Sequence, residues 1–270
     1  MTLTALVDDY CPGRGLSGQH GLSLYLRTGS GGLLFDAGQD GMFVDNARAL
    51  GIDLSSLEAV VLSHGHYDHG GGLGTLYAAI APARPRLLAG RGHDARRLSR
   101  VGDVTRDIGL PEPDGPVLDP LVITGPTEIL PGIHVLPAAD RTDGSAPAPR
   151  FRVGSVGAEA VDPFDDELSL VLVGDDGMVV VTGCAHRGIV NIATAALRVF
   201  PDKPLKALVG GFHLADAPDA ELARVAKAVA ALGPAAVHCS HCTGPRGFAA
   251  LASVLGARVS WLSCGREVAV

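Results

Sequence analysis

Val60–Leu73 reads VVLSHGHYDHGGGL and gathers four metal-capable side chains, His64, His66, Asp68 and His69, within six residues. Just before it, Ala59–Leu62 is a short apolar run rich in β-branched residues, which reads as a buried strand ending at Ser63. Past a strand end, in extended or loop backbone, His64 and His66 project to one side, so two neutral imidazoles can grip one ion. Asp68 and His69 lie further round the turn and can face a second ion beside the first. The flanking glycines give the main chain the freedom that such crowding needs. Imidazole with carboxylate suits zinc, and also manganese or iron. A polar surface loop that happens to be histidine-rich is the competing reading, and such spacing seldom arises by accident.

The rest of the chain bounds the answer. Its 270 residues are 47% hydrophobic and 19% charged, enough for one large α/β domain or two small ones with a substantial core. Net charge is −7, from 22 basic and 29 acidic residues, and no basic run reaches five residues. Nucleic acid is therefore not an expected partner. Five cysteines (Cys11, Cys184, Cys239, Cys242 and Cys264) are an odd number in a chain too large to need stapling, so reduced thiols and a cytoplasmic location are expected. The N-terminus lacks a basic stretch followed by a long apolar one, and no apolar run approaches about 18 residues, so neither secretion nor a membrane is expected.

Strands are expected at Leu3–Val7, Ser23–Leu26, Leu33–Phe35 and Ala59–Leu62, with a helix at Gly41–Leu50. After the His-rich loop the pattern predicts a helix over Leu73–Ile80, a strand at Arg86–Leu88 and a short helix beginning at Gly92–Arg97. Strands follow at Val122–Leu130 and Ile133–Leu136. Ala138–Arg150 has no apolar periodicity and reads as an exposed, mobile loop. The second half repeats the layout. Strands are expected at Leu168–Val173, Met178–Thr182, Ala207–Val209, Ala235–Val237 and Val259–Leu262, with helices at Ile189–Phe200, Asp219–Leu232 and Phe248–Leu255. Two sheets packed face to face with helices outside make a four-layer α/β/β/α sandwich around one continuous core. One domain spanning residues 1–270 is expected, with a variable, partly mobile segment at about 82–163.

Six of the ten histidines fall at strand ends or in glycine-rich turns. His186 follows the strand Met178–Thr182 and so shares the setting of His64; a metal ligand is the expected role. His241 follows Ala235–Val237 and is likewise expected to bind metal. His213, in GGFHL, is either a cleft contact or ligand, or a histidine that supports one. His20 is a candidate for the cleft wall, whereas His93 and His134 read as structural or exposed. Asp36 in FDAG is placed to orient a metal-bound imidazole through its other nitrogen. Asp166 and Glu167 are further candidates without an assigned place.

HGHYDH, read as HxHxDH, resembles the signature of the metallo-β-lactamase-fold superfamily. The stretches LVDDYCPGRGLSGQHGLSLYL, DDELSLVL, GMVVVTGCAHRGIVNI, ALVGGFHL and HCTG are similar to one branch of it, the family related to 7,8-dihydropterin-6-yl-methyl-4-(β-D-ribofuranosyl)aminobenzene 5'-phosphate synthase. The resemblance runs from Leu6 to Gly244 and is weakest at about 82–163. It implies the same four-layer fold and a site formed by His64, His66, Asp68, His69, His186 and His241, with two zinc ions, or with manganese or iron. Where the superfamily usually has a metal-bridging aspartate after Gly, this chain has Cys184. Either Cys184 is a thiolate ligand, or His186 takes over, or the second ion is held weakly; a small buried hydrophobe is the alternative role. The expected activity is hydrolysis of a small phosphoester or cyclic ester, pterin-related on the resemblance, by a metal-bound hydroxide that Asp68 orients. A di-iron oxidoreductase and a non-catalytic metal-containing ligand sensor are the rival readings, and literal synthase activity rests on resemblance alone. The substrate is expected to be a small anionic molecule, with Arg187, Arg246 or the segment Arg91–Arg100 as anion contacts. A homo-oligomer is compatible with all of this.

Overall fold

The computed structural model describes residues 1–113, 115–155 and 157–270. Two seven-stranded sheets dominate the described residues. In the first, β1 (Thr2–Val7), β2 (Ser23–Arg27) and β3 (Gly32–Phe35) run antiparallel, with β18 (Glu267–Ala269) beyond β1. The same sheet continues in parallel through β4 (Leu57–Val61), β5 (Arg86–Gly90) and β8 (Leu121–Ile123). In the second sheet β9 (Thr127–Leu130), β10 (Ile133–Leu136), β13 (Ser169–Gly174) and β14 (Gly177–Thr182) are antiparallel. β14 then pairs in parallel with β15 (Leu205–Gly210), which leads to β16 (Ala236–Cys239) and β17 (Val259–Trp261).

The central strands are continuous apolar runs because both of their faces are buried. Successive residues divide between two cores. Val61, Phe35, Val179 and Val181 meet between the sheets, while Val60 and Leu34 turn outward. Their outward partners are Phe43 and Ala47 of α1 (Met42–Ala49) and Leu76 and Tyr77 of α3 (Leu73–Ala79). On the other side Val180 and Leu208 pack under α4 (Ile189–Val199), α5 (Asp219–Leu232) and α6 (Gly244–Leu255). The layers are therefore α/β/β/α, as expected. Each large side chain fully buried in these cores contributes about 1.5–3 kcal/mol.

Two local expectations are corrected. Gly92–Arg97 forms a turn rather than a helix, and the chain enters β6 (Arg97–Val101), because Arg97 is drawn into a buried ion pair with Asp162 and Asp166, at 3.1 and 2.8 Å. The run Val122–Leu130 is two strands, not one: β8 and β9 belong to different sheets, and Gly125-Pro126 between them breaks the extended run. A further four-stranded sheet has the order β12 (Ala160–Val161), β11 (Phe151–Val153), β6, β7 (Val104–Asp107). Its strands are short and largely polar, without the alternation that marks a strand in sequence. No helix among the described residues is long and apolar enough to cross a membrane.

Candidate metal centre

The His-rich loop lies at the C-terminal end of β4, where the parallel strands of the first sheet open toward the matching ends of β14, β15 and β16. Here α2 (Tyr67–Gly70) is a single turn whose N-cap is His66. Gly65 is squeezed beneath it: a Cβ there would lie 1.7 Å from the carbonyl oxygen of His93. Backbone cannot yield that distance cheaply, so Gly65→Ala is expected to destabilise the chain by about 2 kcal/mol or more. Urea unfolding checks this, and an unchanged midpoint would refute the packing argument. The Gly65 N–H donates to Asp166 (2.8 Å), whose carboxylate is in turn paired with Arg97. Asp166 thus holds the loop's backbone.

Two groups of potential ligands converge. The ligand atoms of His64, His66 and His186 lie within 4.8 Å of one another, and so do those of Asp68, His69 and His241. His64 Nε2 and His186 Nε2 are 3.2 Å apart, and Asp68 Oδ2 is 3.5 Å from His241 Nε2. All six side chains expected from the sequence are therefore buried and gathered at one place. Cys184 joins them, its sulfur 3.1 Å from His69 Nε2; its ligand atom also groups with those of His64 and His69, and with those of His213 and Cys242, while Asp9, His20 and His241 form a further group. All five cysteines are free.

Orienting groups surround the six. Asp36, buried, accepts from the Ser63 N–H and Oγ–H, both at 2.7 Å, and faces His69 Nδ1 at 2.6 Å. The Ser63 hydroxyl also meets His64 Nδ1 at 2.9 Å. Glu167 accepts the backbone N–H groups of His186 and Arg187, at 2.6 and 2.8 Å, and so fixes the turn rather than facing the cluster. The ring of Phe164 stacks on His186, with centroids 3.8 Å apart and planes 7° from parallel. The five non-glycine residues with positive φ among those described, Asp36, Phe164, Ala185, His213 and His241, all lie around this centre. Such backbone costs of order 1–3 kcal/mol each and persists where surrounding contacts impose it.

Burial, reinforced by neighbouring histidines, holds His64 and His186 well below the usual imidazole range, and burial brings His66 down to about 3. These rings are neutral and offer lone pairs. For Asp68 burial pushes upward, but the adjacent His69 and hydrogen bonds from His20 and His241 outweigh it and keep the carboxyl well below the usual range. A divalent metal fits this donor set. His66 Nε2 is buried without a hydrogen-bond partner, and five imidazoles and a carboxylate converge at one place, a set of lone pairs that a divalent ion would satisfy.

Asp8 and Asp9, which were not among the residues expected at the site, also belong to it. Asp9 bridges His20 Nδ1 (2.8 Å) and His241 Nδ1 (2.6 Å), while Asp8 accepts the His241 N–H at 2.6 Å. His20 Nε2 in turn reaches Asp68 Oδ2 at 3.2 Å. The available signal was an acidic pair at the end of β1, but its partner is 232 residues away. Of the arginines expected to contact an anion, Arg96 and Arg100 pair with Asp107 and Glu159, and three others are also engaged. Arg187 donates to the carbonyls of Ala139 and Pro163, Arg246 pairs on the surface with Asp219, and Arg97 is buried in its own ion pairs. Instead Arg141, Arg150 and Arg224 line a cavity of about 1430 Å³ whose wall includes His66, Asp68, His186 and His241.

Residues 17–146 match the profile of the metallo-beta-lactamase superfamily. The chain is similar over its whole length to Tm1679, a solved structure described as a metal-dependent hydrolase of the beta-lactamase superfamily. The two are 33% identical, with TM-score 0.84, covering 100% of this chain and 99% of that one. It is 28% identical over 241 residues, 84% of this chain and 81% of the relative, to a Methanocaldococcus jannaschii protein named 7,8-dihydropterin-6-methyl-4-(beta-D-ribofuranosyl)-aminobenzene-5'-phosphate synthase. YhfI from Bacillus subtilis, a metallo-beta-lactamase fold protein, superposes with TM-score 0.59 at 14% identity over 99% of both chains, a likeness of fold alone.

Proposed function

Because the chain belongs to the metallo-β-lactamase superfamily, we propose that it is a binuclear metallohydrolase acting on a small phosphoester or cyclic ester. One ion is assigned to His64, His66 and His186, and the other to Asp68, His69 and His241, with zinc the ion that best suits nitrogen-rich donors. The observation that carries this reading is the convergence of the two ligand groups at the wall of one cavity. When bound, the metal pair supplies Lewis acidity and a water that ionises near neutral pH.

The chain's own residues supply the rest. His20 and His241, both held by Asp9, flank the Asp68 carboxylate and keep it ionised at the cavity edge, as a ligand and as a hydrogen-bond acceptor that orients water. His20 Nε2 is the exposed proton carrier nearest to it. Phe151 and Phe164 close the side of His66 and His186 against water. A cavity of about 1430 Å³ has room for a heterocyclic substrate, in keeping with the pterin-containing name of the archaeal relative.

Asp36→Asn tests the support of the second position. Its Oδ1 must still accept the Ser63 N–H, so the amide nitrogen faces His69 Nδ1, and the ring's proton moves to Nε2, the nitrogen facing Cys184 and the cluster. Metal affinity is expected to fall about 10- to 100-fold, measured by competition with a chromogenic chelator; unchanged affinity would count against His69 as a ligand. The function itself is tested by elemental analysis of protein purified without added metal, together with turnover of bis(p-nitrophenyl) phosphate and of a simple lactone. Two equivalents of zinc or manganese with turnover of either substrate support it. Stoichiometric iron without turnover, or no bound metal, overturns it.

A further inference from the structure

Ala138–Arg150 carries no periodic signal in sequence, yet its first half is tied to the mouth of α4. The Thr142 and Asp143 N–H groups donate to Asn191 Oδ1 at 2.9 and 3.1 Å, and Asn191 Nδ2 returns a bond to Asp143 Oδ1 at 2.9 Å. Arg141 stands at the start of this tie. Its NH2 group donates to the carbonyl of His186 at 2.7 Å, which sets the guanidinium against the backbone of an assigned metal ligand and on the cavity wall.

The three cavity arginines differ in one respect. Arg150 is paired with Asp216 at 2.7 Å, and Arg224 with Glu221 at 2.7 Å and Asp143 at 3.1 Å. Among the described residues Arg141 has only neutral partners, the His186 carbonyl and, at 3.5 Å, the Ser145 hydroxyl. Its Nε is buried and makes no hydrogen bond. Asp143 and Glu167 act on this cation only through space, without a direct ion pair among the described residues; a partly buried cation so placed costs free energy that an anionic ligand can offset, and a guanidinium presents a planar fork suited to a two-oxygen anion.

We propose that Arg141 is the anion-recognition residue of this site, binding a phosphate or carboxylate group of the substrate at the cavity wall beside His186. The assignment rests on the reading of the cavity as a substrate site. It names a specificity-determining contact for the anionic substrate.

Calorimetric titration of the metal-loaded protein with phenyl phosphate, and separately with benzoate, tests it. Native protein, Arg141→Ala, Arg141→Lys and the surface control Arg246→Ala are compared, with metal content determined for each. Affinity for at least one anion is expected to fall about tenfold or more in Arg141→Ala, with metal equivalents at the native level. Arg141→Lys is expected to be intermediate, since it keeps the charge and loses the fork, and Arg246→Ala unchanged. Which anion responds identifies the group recognised. Equal affinity in native protein and Arg141→Ala overturns the proposal, as does failure of native protein to bind either anion. A weakening that tracks metal loss, and is restored by saturating metal, reduces Arg141 to a prop for His186 and also overturns it. Arg141-dependent binding in a protein that turns over no ester would leave this inference standing while the hydrolase reading fell.

Discussion

Asp68→Ala is expected to leave about one of two metal equivalents bound and to lower turnover of bis(p-nitrophenyl) phosphate by about 100-fold or more. Asp68 is the carboxylate of the second ligand group, and its Oδ2 is also the atom on which His20 and His241 converge, at 3.2 and 3.5 Å. On the proposed assignment its removal deletes a ligand and the carboxylate that orients water, and leaves the ring nitrogens of His20 and His241 that faced it without a partner. The side chain is buried at the edge of the cavity rather than in an apolar core, so folding should survive; circular dichroism checks that. Asp68→Asn keeps the shape and one acceptor oxygen, and is expected to retain more metal than the alanine variant while losing comparable activity. Full activity in either variant would remove Asp68 from the mechanism.

Chelation is expected to lower the thermal midpoint by about 10 °C or more. The centre gathers buried ring nitrogens and the Asp68 carboxylate at close range, with His64 Nε2 and His186 Nε2 3.2 Å apart and His66 Nε2 without a hydrogen-bond partner, so its packing gains from a cation that satisfies them. An ion at a thousand times its Kd stabilises by about 4 kcal/mol per site, and in a chain of this size each kcal/mol is worth roughly 2–4 °C. Thermal unfolding with excess EDTA, and again after readdition of zinc, measures the shift. An identical midpoint in both would mean that no metal is held by these residues.

The central strands and the main helices were legible because burial on both sheet faces writes continuous apolar runs, and α5 was expected over the residues it occupies, Asp219–Leu232. The small sheet of β6, β7, β11 and β12 was not, since RLSRV and VTRD pack at the edge and carry no apolar face to betray them. Arg97 shows the same limit. In sequence it is one of several arginines in a polar stretch, and only the approach of Asp162 and Asp166, more than 60 residues on, makes it a buried anchor.

At the site the division is sharper. His64, His66, Asp68 and His69 declared themselves by spacing, and His186 and His241 by their position after apolar strands, because local chain geometry limits what such residues can do. The sequence by itself determined the layered fold and the six residues expected at its centre. Tertiary structure alone decided that Asp9 holds both His20 and His241, that Asp166 and Glu167 bind backbone rather than face the cluster, and that Arg141, rather than Arg187 or Arg246, is the cavity arginine lacking a carboxylate partner. Those pairings join residues that lie 11 to 232 positions apart, through side-chain hydrogen bonds with no periodicity. They are fixed by which strand ends the packing of two sheets brings together.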